Sequence, residues 1–254
     1  MDLIAAQSTL IDAVTSLGLS GDLIQERLQR IQRDLLGNSR YIQEPNFTAI
    51  HPNDLEFLFN AYDALFFQSL CRPALNGQMI RFRLSRRMTK AGGKTTRFRT
   101  ATGLVSYEIS VATSILFDGF GKVDRRAKVC GLDCDSRLDA LQRIFEHEMV
   151  HLAEQLCWEK SDCSAPRFQE IARRLFRHEA HTHDLITRRE RAAAAGIRPG
   201  SRVTFVFEGE RLTGRVNRIT KRVTVLVEDS EGQRFSDGLR YKTNYVPIAH
   251  LELV

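Results

Sequence analysis

Apolar residues recur at helical spacing through the first 36 positions, with Ile24, Leu28, Ile31 and Leu35 separated by four, three and four. Ser20-Gly21 ahead of Asp22 supplies a break and a cap, so this stretch reads as two short helices. Residues 37–45 read as a linker. From His51-Pro52-Asn53-Asp54 a new helix is predicted, its broad apolar face supplied by Leu55, Leu58, Phe59, Tyr62, Leu65 and Phe66.

The pattern then changes period. Residues 79–85 alternate apolar and basic side chains, as in a half-buried strand. Gly92-Gly93 reads as a turn, after which residues 94–101 can pair back as the next strand, and residues 107–111 form a third. Ser136 caps a long helix through Trp158, whose apolar residues Leu138, Leu141, Ile144, Phe145, Val150 and Leu152 spread around the axis and predict burial on several sides. A further helix is expected over residues 165–177, with Pro166 in its first turn. Beyond the boundary at residues 196–200, short alternating strands (Val203/Phe205/Phe207, Leu212/Gly214/Val216, Val223/Val225/Val227) suggest a small SH3-like or KOW-like β-barrel. The expected organisation is α+β: an N-terminal helical segment over residues 1–45, a domain over 46–190 and the β module over 197–254.

Composition narrows the class. A chain of 254 residues that is 27% charged and 43% hydrophobic is ordinary for a globular protein, which sets aside disordered and fibrous readings. No window approaches the roughly 20 apolar residues of a membrane span, and the start lacks the basic segment of a secretory signal. Five cysteines, an odd count, fit a reducing compartment better than a disulfide framework, so the expectation is a cytoplasmic protein without a membrane partner.

The net charge of +6 is unevenly spread: residues 1–60 carry eight acids and four bases, leaving the rest strongly basic. Between Arg81 and Arg99 there are eight bases and no acid. Arg81, Arg83, Arg86, Arg87, Lys90 and Lys94 are therefore candidate phosphate contacts, arranged as a stripe beside the active-site cleft, which would bind nucleic acid without reading its sequence. The competing reading is a solvated basic edge.

The strongest chemical signal is His147-Glu148-Met149-Val150-His151. On a helix, positions i and i+4 share a face, so both imidazoles can reach one zinc ion, while Glu148 stands beside the ion as a base able to take a proton from water.

This motif lies in a longer pattern. Residues 55–67 (Leu-Glu-Phe-Leu-Phe-Asn-Ala-Tyr-Asp-Ala-Leu-Phe-Phe), residues 83–93 (Arg-Leu-Ser-Arg-Arg-Met-Thr-Lys-Ala-Gly-Gly), residues 107–116 and the His-Glu-Met-Val-His helix resemble, in order and spacing, four blocks of the SprT-like (Spartan-related) metalloprotease domain, over about residues 50–185. The resemblance implies a zincin-like fold in which His147 and His151 bind Zn2+ and Glu148 is the general base. It also implies a proteolytic role on proteins crosslinked to DNA, hence in DNA repair, with a protein substrate and DNA as partners.

The family's third ligand, a His-Gly four residues before a Phe, is replaced here by Ser164-Ala165 ahead of Phe168. Cys163, adjacent to that position, is the expected substitute, with His178 and His183 as alternatives and His181 in the same segment. Glu154 shares the face of His151 and is expected to point past the metal. A second zinc held by Cys130, Cys134, Cys157 and Cys163 is disfavoured because no C-x2-C pair exists. Tyr107 and the three late histidines are candidates for stabilising the oxyanion. The departed ligand keeps a second function open, a catalytically inert nucleic-acid or protein-binding adaptor that retains a structural zinc.

Overall fold

Helices α1 (Leu3–Ser16) and α2 (Gly21–Asn38) part at Ser20, whose hydroxyl accepts the Leu23 amide at 3.3 Å and opens α2. The computed structural model describes residues 3–88, 91–118, 120, 126–185, 188–220 and 222–254. The predicted apolar stripe of α2 is buried at Ile24, Leu28, Ile31 and Leu35. His51 caps α3 (Pro52–Phe66), closing a capping box with Asp54. Short α4 (Cys71–Leu75) leads into strands β1 (Met79–Ser85), β2 (Gly93–Arg99) and β3 (Val105–Ala112).

The expected β1–β2 pairing does not form. The sheet order is β1-β3-β2, with β1 parallel and β2 antiparallel to β3. The reason is apolarity: β3 buries Tyr107, Ile109 and Val111 and takes the centre, leaving the two basic strands at the edges where their charges stay hydrated. Register fixes the faces. Phe82, Ile109 and Thr95 stand in one row, facing inward, while Arg83, Ser110 and Lys94 stand in a row on the opposite face.

After α5 (Thr113–Asp118) come β4 (Ala127–Val129) and β5 (Leu132–Cys134). They are joined by Cys130-Gly131, both at positive φ (54° and 83°), the backbone of a tight hairpin turn. Helix α6 (Arg137–Trp158) starts at a Ser136/Asp139 capping box and is buried on several sides, as its sequence predicted. It meets β2, α1, α3 and α7 (Pro166–Phe176), and Tyr62, Phe66, Phe145 and Phe176 form an aromatic cluster beneath it. Finally β6 (His183–Asp184) pairs along β4, with Val129 opposite His183.

The described residues up to 185 form one compact unit and those from 188 a second. The boundary expected at residue 45 divides nothing: α1 packs on α4 and α6, and α2 on α3. The second unit comprises α8 (Arg188–Ala194) and strands β7 (Arg202–Phe207), β8 (Glu210–Ile219), β9 (Val223–Arg234), β10 (Arg240–Val246) and β11 (Glu252–Leu253). Val203, Phe205, Val216, Val223, Val225 and Val246 build its core. Its antiparallel order, β10-β9-β8-β7-β11, is open, and no pairing closes it into a barrel among the described residues. No described helix is long and apolar enough to cross a membrane.

Candidate metal centre

One turn of α6 places Nε2 of His147 3.1 Å from Nε2 of His151. Two nitrogens about 2.0–2.1 Å from one zinc ion stand roughly 3.1–3.4 Å apart at near-tetrahedral angles, so the pair is spaced for a shared ion. Cys163 joins them: its Sγ and the two imidazoles offer donor atoms that all lie within 4.8 Å of one another. A turn delivers it. α6 ends at Glu159 in the left-handed conformation, φ 60°, and the side chain of Asp162 accepts hydrogen bonds from the amide and hydroxyl of Ser164 just before Pro166 starts α7.

The outer nitrogens decide which lone pairs are free. Nδ1 of His151 lies 2.6 Å from Oγ of Ser161, and that hydroxyl donates to Oε2 of Glu154 at 2.6 Å. With its one hydrogen given to the carboxylate, Ser161 must accept from His151, so Nδ1 carries the ring proton and Nε2 presents its lone pair. Glu154 is wholly buried and is completed by Arg167, whose Nε donates at 2.6 Å while its guanidinium lies 4.0 Å from the Trp158 ring centroid. Nδ1 of His147 faces Sγ of Cys130 at 3.6 Å. Burial also pushes the His147 imidazole down to about 2 and that of His151 to about 4, so both are neutral at pH 7 and ready to ligate. Phe168 packs its ring on both histidines, with centroid distances of 4.8 and 4.5 Å, and walls the donors from bulk water.

Glu148 sits on the adjoining face of α6, buried against β2. Burial raises its carboxyl to about 8, against the opposing pull of Thr95. Oγ1 of Thr95 lies 2.7 Å from Oε2 of Glu148 and 3.0 Å from the Glu148 carbonyl oxygen. Both contacts are satisfied at once when the carboxyl holds a proton, donating to Thr95 while Thr95 donates to the carbonyl. A cation alongside favours the ionised form. The donor set is therefore a thiol that a bound metal would ionise, two neutral imidazoles, that of His151 with its tautomer fixed by Ser161, and a proton-holding carboxyl, which fits a catalytic zinc site with an open position.

Other expected residues go elsewhere. His178 is drawn to the far side of α6, where its Nε2 lies 2.9 Å from Oε2 of Glu146, a buried carboxylate that Arg143 and Tyr62 also bond. That hydrogen bond removes it from the donor set. His183 does reach the centre, but on the Nδ1 side of His147, where its own Nδ1 is 3.8 Å from Cys130 Sγ. Glu154 points past the metal position, as expected, and acts on it only through Ser161. Tyr107 is buried on β3 and is associated with Arg97 rather than with the histidines.

The basic stripe is also displaced. Arg81, Arg83 and Lys94 stand on the sheet face opposite α6, with Arg83 3.6 Å from Glu108, so they do not line the cleft. A strand's period of two makes this inevitable once Thr95 faces Glu148. Arg86 and Arg87 are exposed beyond β1. Lys90 lies outside the described residues.

Three contributors escaped the sequence reading, Thr95, Gly93 and Ser161, while Cys130, weighed there only with other cysteines, lies beside His147 and His183. Neither Gly92 nor Gly93 has a left-handed φ, so they are not the turn the dipeptide suggested. They are close-approach glycines, since a Cβ on Gly93 would lie 2.6 Å from Oε1 of Glu148 and one on Gly92 2.9 Å from Ile144. Comparison with protein families, curated proteins and solved structures returns no match.

Proposed function

We propose that the chain is a zinc-dependent metallopeptidase of the SprT-like type, hydrolysing peptide bonds in proteins associated with or crosslinked to DNA. The observation that carries it is the 3.1 Å pair of imidazole nitrogens with Glu148 beside them and both outer nitrogens occupied. His147, His151 and Cys163 would hold the ion. The chemistry it supplies when bound is Lewis acidity, which acidifies water and polarises a carbonyl.

The chain's own groups do the rest. Glu148 takes a proton from the attacking water as the oxygen adds to the carbonyl carbon. It returns that proton to the amide nitrogen as the C–N bond breaks, leaving a carboxylate and an amine. Thr95 holds the carboxyl in position through both transfers, and Phe168 keeps solvent from the histidines. The first unit fits a zincin-like domain, in which edge strand β2 lies against the active-site helix. The second fits an SH3-like module, five antiparallel strands around one small core.

The DNA part rests on exposed Arg81, Arg83, Arg86, Arg87 and Lys94, a charge suited to phosphates, of which Arg81, Arg83 and Lys94 share the sheet face opposite α6. The five cysteines are free thiols, which suits a reducing compartment. The test is incubation of zinc-saturated protein with a DNA-bound protein, with and without DNA. New peptide termini, formed faster with DNA, are expected. Zinc-saturated protein that cuts nothing contradicts the proposal and leaves the adaptor with a structural zinc.

A further inference from the structure

The hairpin turn that carries Cys130 brings a second set of donors to His147. Sγ of Cys130 lies 3.6 Å from Nδ1 of His147 and 3.8 Å from Nδ1 of His183, and the three donor atoms fall within 4.8 Å of one another. A sulfur about 2.3 Å and a nitrogen about 2.05 Å from one zinc ion are roughly 3.6 Å apart at the tetrahedral angle. Both measured separations agree with that, whereas a thiol has a single weak hydrogen for two rings.

The placement is also built. Cys130 is fully buried and held at φ 54°, a conformation few side chains other than Asn and Asp adopt. Its amide donates to the Thr182 carbonyl at 3.0 Å, and its carbonyl accepts from the Glu179 and Ala180 amides at 2.9 and 3.0 Å. The β4–β6 pairing sets His183 beside it. The two-residue turn requires this φ, and the hydrogen bonds around it fix the thiol beside the imidazoles.

We propose that Cys130, His183 and Nδ1 of His147 form a second site for a thiophilic divalent cation such as Zn2+, one that competes with the catalytic position. The competition rests on the metallopeptidase reading through His147, the one residue the two sites share. A neutral imidazole has one lone pair. An ion at Nδ1 sends the ring proton to Nε2 and takes His147 from the donor set it shares with His151 and Cys163, while the Cys130 proton leaves to solvent. Occupancy here switches the enzyme off.

Cobalt(II) reports thiolate ligation by a charge-transfer band, and each site contains one cysteine. In Cys163→Ser the catalytic position has no thiolate, so any remaining band comes from Cys130. The band is expected to persist in Cys163→Ser, with one cobalt bound, and to vanish when His183→Ala is added. Cys163→Ser saturated with cobalt but lacking the band overturns the second site, and so does a band that survives in the double variant. Neither result touches Glu148-dependent cleavage by the wild type, so the two readings fail separately. Should Cys163→Ser lose its fold, Cys163→Ala serves the same comparison.

Discussion

The Cβ that Gly93 lacks would lie 2.6 Å from Oε1 of Glu148 and 2.7 Å from its Cγ. The edge strand and the Glu148 carboxyl are thus in contact, and a methyl group at this position must move one of them. Gly93→Ala is expected to lower kcat by tenfold or more with zinc content unchanged, because the ligands sit on α6 and the loop after it. Steady-state kinetics with zinc analysis of the same samples checks this. Unchanged kcat would mean that the carboxyl has room to relocate without cost.

Thr95 is the hydroxyl that bonds Glu148 among the described residues. Thr95→Val keeps its shape and removes that oxygen, leaving a buried carboxyl without its partner. A loss of about 1–3 kcal/mol in stability is expected from the unmatched group, together with a lower kcat. Thr95→Ser should recover activity. Denaturant melts and kinetics on the three proteins measure both effects, and equal activity in Thr95→Val would remove Thr95 from the mechanism.

Ser161 would act on a bound ion only through His151. Ser161→Ala breaks the path from Glu154 to Nδ1 of His151, freeing the ring to rotate and take the other tautomer. Zinc affinity is expected to fall about 10–100-fold, the usual consequence of losing such a partner, while kcat at saturating zinc stays near that of the wild type. Competition against a chromogenic chelator reads the affinity directly. An unchanged affinity would show that Phe168 packing alone fixes the ring.

Chelation should soften the first unit. A ligand present at about 1,000 times its Kd stabilises the folded state by about 4.1 kcal/mol, so stripping zinc should lower the melting temperature by several degrees and readdition should restore it. Differential scanning calorimetry shows the shift. A melt indifferent to chelator would mean that the donors hold no ion under those conditions.

What the sequence disclosed follows the range over which its signals act. Ser136 and the apolar residues of α6 announce that helix because its cap and its period are both local, and the His147/His151 pair comes with it. Cys163 was reachable as the soft donor next to the departed histidine. Pairing partners were not. Nothing within residues 79–99 says that β3 will come between the two basic strands, so the face of Arg81 and Arg83 was misplaced. The strands that carry Cys130 to His183 span three residues and two, too short for any periodicity, and join positions 53 apart. Gly92-Gly93 looked like a turn because a glycine needed for space and one needed for its φ are written with the same letter.

The central claim is that Glu148 moves the proton. Glu148→Gln keeps the size of the side chain and every zinc ligand, so cleavage of a DNA-bound protein by this variant and by the wild type, with zinc quantified in both, isolates the carboxylate. Equal zinc content with kcat about 10²–10⁴-fold lower in the variant is the predicted result. Equal cleavage by the two zinc-loaded proteins would contradict the account.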